Sequence, residues 1–195
     1  MIRTEDVRDF FDRLAPHWDS ELVRNEEVIR LILDNAGVTA GKAVLDVATG
    51  TGVLIPDYLA RGVSSVTAID LSPEMARIAA EKFPQPEVTV LCGDAEATDF
   101  GKKFDCIMVY NAFPHFPDPV RLIGVLAGLL APGGTLTVAH GASRETIDAH
   151  HSGSAQHVSL GLMPAEELKA IFEQFLTVTA LISDERMYQV VGKKL

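Results

Sequence analysis

Strand-like and helical segments alternate along most of this sequence. The first strand-like runs are rich in β-branched residues and lie at Ala43–Ala48, Ser65–Asp70 and Glu87–Cys92, with helical patterns at 52–61 and 73–83 between them. Alternation of this kind is typical of a parallel sheet that is covered by helices on both faces. The sequence therefore predicts an α/β fold.

Further strands are predicted towards the C-terminus, at Phe104–Tyr110 and Gly134–His140. After a helical pattern at 164–174, the runs Leu176–Ile182 and Arg186–Val191 are separated by three polar residues, as in a hairpin. Seven strands result, of which the last is expected to be antiparallel. We predict a doubly wound, Rossmann-like sheet, which binds ligands beyond the carboxyl ends of its strands.

Two helices are predicted before the sheet. The first shows a stripe of apolar residues at helical spacing, which ends before Pro16: Val7, Phe10, Phe11 and Leu14. The second is predicted from 21 to 36 and stops at a glycine. Because no repeat, low-complexity segment or long linker divides the chain, we expect one domain over 1–195, with these helices in 1–37 and the α/β core in 42–195.

Composition limits the partners. A chain of 195 residues with 47% hydrophobic residues can bury a full core without disulfides or structural metals. Its 17 Lys and Arg against 27 Asp and Glu give a net charge of −10, which opposes sequence-independent binding to nucleic acid. We expect small-molecule or protein partners, no nucleic acid, and a monomer or homodimer.

Other features bear on location and redox state. The first ten residues are charged, and the longest apolar run, 122–131, has about half of the roughly 20 residues that span a bilayer. We therefore expect a cytoplasmic protein without a membrane span. Cys92 and Cys106 form no CxxC pair and are expected to be free thiols in the core.

A glycine-rich turn directly follows the first predicted strand. Gly50 and Gly52 in Asp46-Val47-Ala48-Thr49-Gly50-Thr51-Gly52 let the backbone approach a ligand closely, because no β-carbon is in the way. The dinucleotide fingerprint needs a third glycine three residues after its second, and none follows at that spacing. A nicotinamide or flavin dinucleotide and a Walker A phosphate loop are both disfavoured.

Acidic residues end the second and third predicted strands. Asp70 lies at the end of the second strand and can accept both hydrogen bonds of a ribose diol. Asp94 follows the third strand, where it could hold an adenine amino group. Each aspartate alone could instead be a helix cap or turn former. The glycine turn, Asp70 and Asp94 nevertheless follow three successive strand ends, and together they favour a nucleoside site.

These motifs resemble class I S-adenosylmethionine (SAM)-dependent methyltransferases, from the glycine turn to the terminal hairpin. The resemblance implies a SAM site, with S-adenosylhomocysteine (SAH) as product, formed by Asp46, Ala48, Thr49, Gly50, Gly52, Asp70, Leu71, Asp94, Ala95, Asn111 and Ala112. The turn would touch the methionine part of SAM, Asp70 would bind the ribose, and Asp94 and Ala95 would meet the adenine. Many members have a glycine where this chain has Ala48.

Three further segments carry the resemblance. Residues 104–113 are similar to the family's fourth-strand motif, and residues 130–136 to its turn before strand five. Residues 10–19 resemble the N-terminal helical lid of the ubiquinone and menaquinone biosynthesis branch, which folds over SAM in relatives. That branch uses many small acceptors, so the resemblance does not define the substrate.

Histidine is the conspicuous catalytic candidate. Methyl transfer needs few catalytic side chains, because the sulfonium of SAM already activates the methyl group. His115 and His140 follow or end the fourth and fifth predicted strands, so both are expected to face the crevice. His115 could act as a general base, or it could order a loop or line the cofactor pocket.

A histidine cluster suggests a divalent metal site, since imidazole binds Zn, Fe, Ni and Cu. Its members are His140, His150, His151 and His157. The alternative is a solvated or substrate-contacting loop, because the sequence has no paired carboxylate or CxxC spacing there.

Four apolar residues could form walls for an acceptor or belong to the core: Trp18, Phe113, Phe116 and Met163.

The sequence thus predicts a SAM-dependent methyltransferase that acts on a small molecule at O, N, S or C. A protein or tRNA methyltransferase is the first alternative, and it would usually need an added recognition domain or a basic surface. A non-catalytic SAM-binding or metal-binding regulatory protein is the second alternative. Binding of SAM fits all three, and product formation distinguishes them.

Overall fold

The computed structural model describes the backbone of residues 2–151 and 156–195, and the side chains of these residues except 150, 151 and 156. Within them, seven strands form one sheet in the order β3-β2-β1-β4-β5-β7-β6. The strands are β1 Ala43–Val47, β2 Ser65–Asp70, β3 Val88–Cys92, β4 Phe104–Tyr110, β5 Leu130–His140, β6 Thr177–Ser183 and β7 Tyr188–Lys193. Strands β1 to β5 pair in parallel, and β7 is antiparallel to both β5 and β6. The predicted sheet with an antiparallel last strand is confirmed.

Helices lie on both faces of the sheet. They are α1 Thr4–Glu21, α2 Glu26–Asn35, α3 Ile55–Ala60, α4 Pro73–Lys82, α5 Pro119–Leu129, α6 Arg144–His151 and α7 Ala165–Phe172. Successive residues of β1 point to opposite faces, so Val44 belongs to one hydrophobic cluster and Leu45 to the other. The cluster around Val44 contains apolar residues of α2 and α3, and the cluster around Leu45 contains those of α5 and α7.

Helix α4 shows how sequence positions the elements around the site. Ser72 is its N-cap and accepts a hydrogen bond from the Met75 amide, while Pro73 occupies the first helical position. The turn between β2 and α4 is therefore short and ordered. This turn places the end of β2 next to the start of α4.

Three features differ from the sequence predictions. Helix α1 continues through Pro16 to Glu21, although a proline removes one backbone hydrogen bond from a helix. On either side of Pro16, the side chains of Asp12 and Asp19 form hydrogen bonds that hold α1 to the core. Helix α6 lies in a segment for which no element was predicted. Cys92 is exposed rather than in the core, because β3 is an edge strand, whereas Cys106 is buried as expected.

The described residues contain no helix that is both long and apolar enough to cross a membrane.

Candidate active site

A cavity of about 610 Å³ opens at the carboxyl ends of the parallel strands. Residues at or just beyond the ends of β1, β2, β3 and β4 form its floor, and α1 forms the opposite wall. This is the position where sheets of this class bind ligands. Of the predicted SAM-site residues, all except Gly52 line the cavity: Asp46, Ala48, Thr49, Gly50, Asp70, Leu71, Asp94, Ala95, Asn111 and Ala112.

The glycine turn has the left-handed backbone that its sequence permits. Gly50 has a φ of +58° and lies under the indole of Trp18, whose Nε1 would be 3.8 Å from a β-carbon added at Gly50. Gly52 has a different role: at a φ of +85°, an added β-carbon would lie 2.6 Å from a ring carbon of Phe83. Gly52 is therefore required by the turn and by core packing rather than by close approach of a ligand.

Two cavity residues other than glycine also have positive φ. Ala48 has a φ of 55° and Asn111 a φ of 53°, a conformation that is uncommon for residues with a β-carbon. The side chain of Asn111 accepts a hydrogen bond from the Gly141 amide at 2.9 Å, which connects the ends of β4 and β5. Strained residues of this kind cluster at functional sites, and both of these line the cavity.

Asp46 is buried at the end of β1 in a small hydrogen-bond network. Its carboxylate accepts hydrogen bonds from the Thr49 hydroxyl at 2.7 Å and from the Tyr58 hydroxyl at 3.1 Å. Burial raises the pKa of Asp46 to about 7, although both hydroxyl groups oppose this rise. A cationic group in the cavity would favour the charged form of Asp46.

Asp70 ends β2 with both carboxylate oxygens oriented by backbone amides. The Gly50 amide donates to Oδ2 at 2.7 Å and the Ser72 amide donates to Oδ1 at 2.9 Å. Burial is the main cause that raises the pKa of Asp70 to about 6, and the charge of Asp12 on α1 adds to it. Asp70 is thus a fixed acceptor whose charged form a hydrogen-bond donor from a ligand would stabilise.

The turn after β3 contributes the third acidic residue. Asp94 Oδ1 accepts a hydrogen bond from the Glu96 amide at 2.8 Å, which is the side-chain turn that aspartate commonly forms. Ala95 beside it is 6% exposed. Asp94 therefore both stabilises the local turn and lines the cavity.

His115 lies at the cavity, as predicted. Its Nδ1 is 2.8 Å from the carbonyl oxygen of Val158. Because a carbonyl oxygen can only accept a hydrogen bond, Nδ1 carries the proton, and Nε2 is the basic nitrogen of the neutral ring. The ring also contacts Phe11 of α1 edge to face, with 4.9 Å between ring centres. The contact with Val158 determines which nitrogen of His115 could accept a proton.

His140 does not share this position. It is 1% exposed on β5, its ring lies 6.0 Å from that of Tyr188, and it is absent from the described residues that line the cavity. His140 was expected to face the crevice, whereas in the structure it pairs with Tyr188 of β7 and is buried beside that residue. A direct role for His140 in the reaction finds no support in this placement.

Part of the predicted metal site lies outside the described residues, since the side chains of His150 and His151 are not among them. His140 is buried beside Tyr188, whereas His157 is exposed and contacts the ring of Phe10. In the described part of the chain, no three His, Cys, Asp or Glu side chains are close enough to hold a metal ion.

Helix α1 supplies much of the apolar wall of the cavity. Of the four apolar residues proposed as acceptor walls, Trp18 and Phe116 line it, whereas Phe113 and Met163 line a separate cavity of about 590 Å³. The apolar stripe of α1 forms the rest of this wall with Val7, Phe10, Phe11 and Leu14. The helical spacing identified this stripe, and the resemblance of residues 10–19 to a lid over SAM indicated that this helix faces the site.

Comparison with known proteins agrees with this geometry. Residues 44–134 match the family model of a methyltransferase domain. Over 143 residues the chain is 30% identical to the demethylmenaquinone methyltransferase of Renibacterium salmoninarum, an alignment that covers 70% of this chain and 59% of that relative. The chain is thus similar in sequence and fold to SAM-dependent methyltransferases. It spans less than two thirds of the length of this curated relative.

Solved structures of other methyltransferases share the fold. A methyltransferase in complex with the Trm112 methyltransferase activator of Haloferax volcanii has a TM-score of 0.81 at 22% identity, and 96% of each chain is covered. The N-methyltransferase NodS of Bradyrhizobium japonicum, in complex with SAH, has a TM-score of 0.73 at 18% identity, and 98% of each chain is covered.

Proposed function

We propose that this protein is a SAM-dependent methyltransferase, which transfers a methyl group from SAM to a small-molecule acceptor. The observation that carries the proposal is the cavity itself. It joins Asp46, Asp70 and Asp94 from three strand ends to a wall of aromatic and aliphatic residues on α1, with His115 beside that wall. One cavity therefore offers groups for a nucleoside and for a second, less polar molecule.

The cavity residues fit SAM. Asp70 has two oriented carboxylate oxygens for the ribose hydroxyls, and Asp94 with Ala95 would border the adenine. Asp46 and the turn up to Gly50 would hold the methionine part, where the buried carboxylate suits a ligand that carries positive charge. Bound SAM supplies an activated methyl group on its sulfonium, so the protein mainly orients the acceptor and excludes water.

His115 is the group that we propose to remove a proton from the acceptor. Its Nδ1 is oriented by the Val158 carbonyl, which leaves Nε2 with the basic lone pair. The apolar residues of α1 around it would exclude water from the reacting atoms. We propose no catalytic role for His140.

The apolar wall supports an acceptor with an apolar body. Phe10, Phe11 and Leu14 of α1 and Phe116 after β4 form this wall. A similarity to a demethylmenaquinone methyltransferase agrees with a small acceptor. A protein or tRNA acceptor remains the alternative, and the activator bound to one structural neighbour shows that related folds can assemble with a second protein.

The test uses SAM with a labelled methyl group, purified protein and a cell extract, which is afterwards divided into small-molecule and macromolecular fractions. Wild type is compared with Asp70→Asn, which keeps the shape of the side chain but removes its charge. We expect label among the small molecules, less of it with Asp70→Asn, and no effect of a chelator. Label in protein or RNA would contradict the proposed acceptor, and no transfer despite SAH binding would favour a non-catalytic SAM-binding protein.

A further inference from the structure

Helix α1 contacts the cofactor region through a carboxylate that the proposed function does not use. Asp12 Oδ1 accepts a hydrogen bond from the Ser72 hydroxyl at 2.5 Å and from the Glu74 amide at 3.0 Å. Both donors belong to the start of α4. Asp12 is half-buried, whereas Ser72 is fully buried.

Ser72 connects Asp12 to the carboxylate that we assign to the ribose. Its hydroxyl donates to Asp12, and its own backbone amide donates to Asp70 Oδ1 at 2.9 Å. The hydroxyl also accepts from the Met75 amide as the helix N-cap. The hydroxyl and the amide of Ser72 are therefore held by two carboxylates, one on the α1 wall of the cavity and one on its floor.

The position of α1 makes this connection relevant to ligand entry. Residues of α1 from Thr4 to Glu21 form one wall of the cavity, so a cofactor that fills the cavity must pass α1 or move it. A second polar contact, from the Thr51 hydroxyl to Asp19, holds the other end of α1 to the glycine turn. Each contact joins α1 to a turn that carries cofactor-site residues.

We propose that Asp12 is a positioning residue for cofactor binding, which acts through Ser72 on Asp70. When α1 is docked, Asp12 fixes Ser72 and the turn after β2, and the Ser72 amide then holds Asp70 in the orientation that accepts the ribose hydroxyls. By linkage, a cofactor that uses Asp70 stabilises the docked position of α1 to the same extent that docking raises cofactor affinity. The inference rests on the proposed SAM site.

The probe is SAH, and two quantities are measured: its affinity by calorimetry, and the protection of α1 amides from hydrogen exchange with and without SAH. In wild type we expect SAH to increase the protection of residues 4–21. Asp12→Ala should lower SAH affinity by about 5- to 10-fold, as expected for the loss of one typical hydrogen bond, and should abolish the increase in protection.

Two variants separate positioning from a structural role. Asp12→Asn keeps a side-chain oxygen for Ser72 and Glu74, so it should restore most of the SAH-dependent protection. Asp9→Ala removes an exposed carboxylate from the same helix, where its partner is Arg8, and should behave as wild type. If Asp12→Ala does not fold, Asp12→Ser, whose side chain is too short to reach Ser72, takes its place.

The outcomes are distinct. SAH affinity and α1 protection that are unchanged in the Asp12 variants would overturn the inference and leave the proposed function intact. Equal losses in Asp12→Ala and Asp9→Ala would overturn it as well, since they would indicate a general weakening of α1. Wild type that binds no SAH would overturn the proposed SAM site and, with it, this inference.

Discussion

The two sides of the cavity differ in how they are built. The floor consists of turns directly after β1, β2 and β3, and its carboxylates are held by backbone amides and hydroxyls, as with Asp46 and Asp70. The α1 side consists mainly of apolar and aromatic side chains, among which His115 is held by one carbonyl. The floor suits one ligand with fixed polar groups, whereas the α1 side can accommodate different acceptors.

This difference predicts that changes on the two sides affect different steps. Changes to the floor should alter cofactor affinity, and changes on the α1 side near His115 should alter turnover.

Replacement of His115 by alanine should have the largest effect. If His115 accepts a proton from the acceptor, turnover should fall by about 100-fold or more, as expected for the loss of a general base. SAH affinity should remain close to that of wild type, because the floor is unchanged. Initial rates at saturating SAM, together with calorimetry, test this; a parallel loss of affinity and turnover would mean that His115 shapes the pocket instead.

Asp70→Ala should weaken cofactor binding. The variant loses a charge-assisted contact to the ribose hydroxyls, which is worth on the order of 1.5–3 kcal/mol. Titration with SAH measures the change, and Asp99→Ala, at an exposed loop position, is the control. If the affinity for SAH is unchanged in Asp70→Ala, Asp70 does not contact the cofactor.

Because of Asp70, the stability of the ligand-free protein should decrease as the pH rises. Asp70 has a pKa of about 6 in the fold, above its ordinary value of 3.8, so between these values the folded state holds a proton that the unfolded state releases. The contribution of Asp70 to the free energy of unfolding therefore falls as pH rises through this window, by on the order of 2 kcal/mol. Urea unfolding of wild type and Asp70→Asn at pH 4.5 and pH 7.5 measures it; a stability difference that does not change with pH would contradict this.

Gly52→Ala should affect stability rather than the ligand. A left-handed backbone at a residue with a β-carbon costs about 1–2 kcal/mol, and the added carbon would also displace the ring of Phe83. Thermal unfolding should show the loss, and SAH affinity of the folded variant should be retained. A variant with wild-type stability and weakened binding would place Gly52 against the cofactor after all.

The same division explains what could be predicted from the sequence. The ends of β2 and β4 agree with their predicted bounds, because apolar runs end at turn residues there. The floor residues follow these strands within a few positions, so local sequence places Asp70 and Asp94 correctly. Gly52 is the exception, since its contact with Phe83 depends on packing that local sequence does not encode.

The α1 side could not be predicted from local sequence in the same way, and it was indicated only by the resemblance of residues 10–19 to a lid over SAM. It combines α1 with residues more than ninety positions later, such as His115 and Ile147, and only the tertiary fold brings them together. The burial of His140 has the same cause, because β7 pairs beside β5 and the residue paired with His140 is Tyr188. The hydrogen bonds of Asp12 also join helix α1 to the start of α4, which is distant in sequence.

The pH dependence of SAH binding tests the account most directly. Ribose hydroxyls that donate to Asp70 favour its charged form, and with a pKa of about 6 the affinity of wild type should be about tenfold lower at pH 5 than at pH 7.5. The dependence should persist in His115→Ala and become weaker in Asp70→Asn, where only the part due to Asp46 would be left. Absence of SAH binding at both pH values, or affinity that increases at pH 5, would contradict the account.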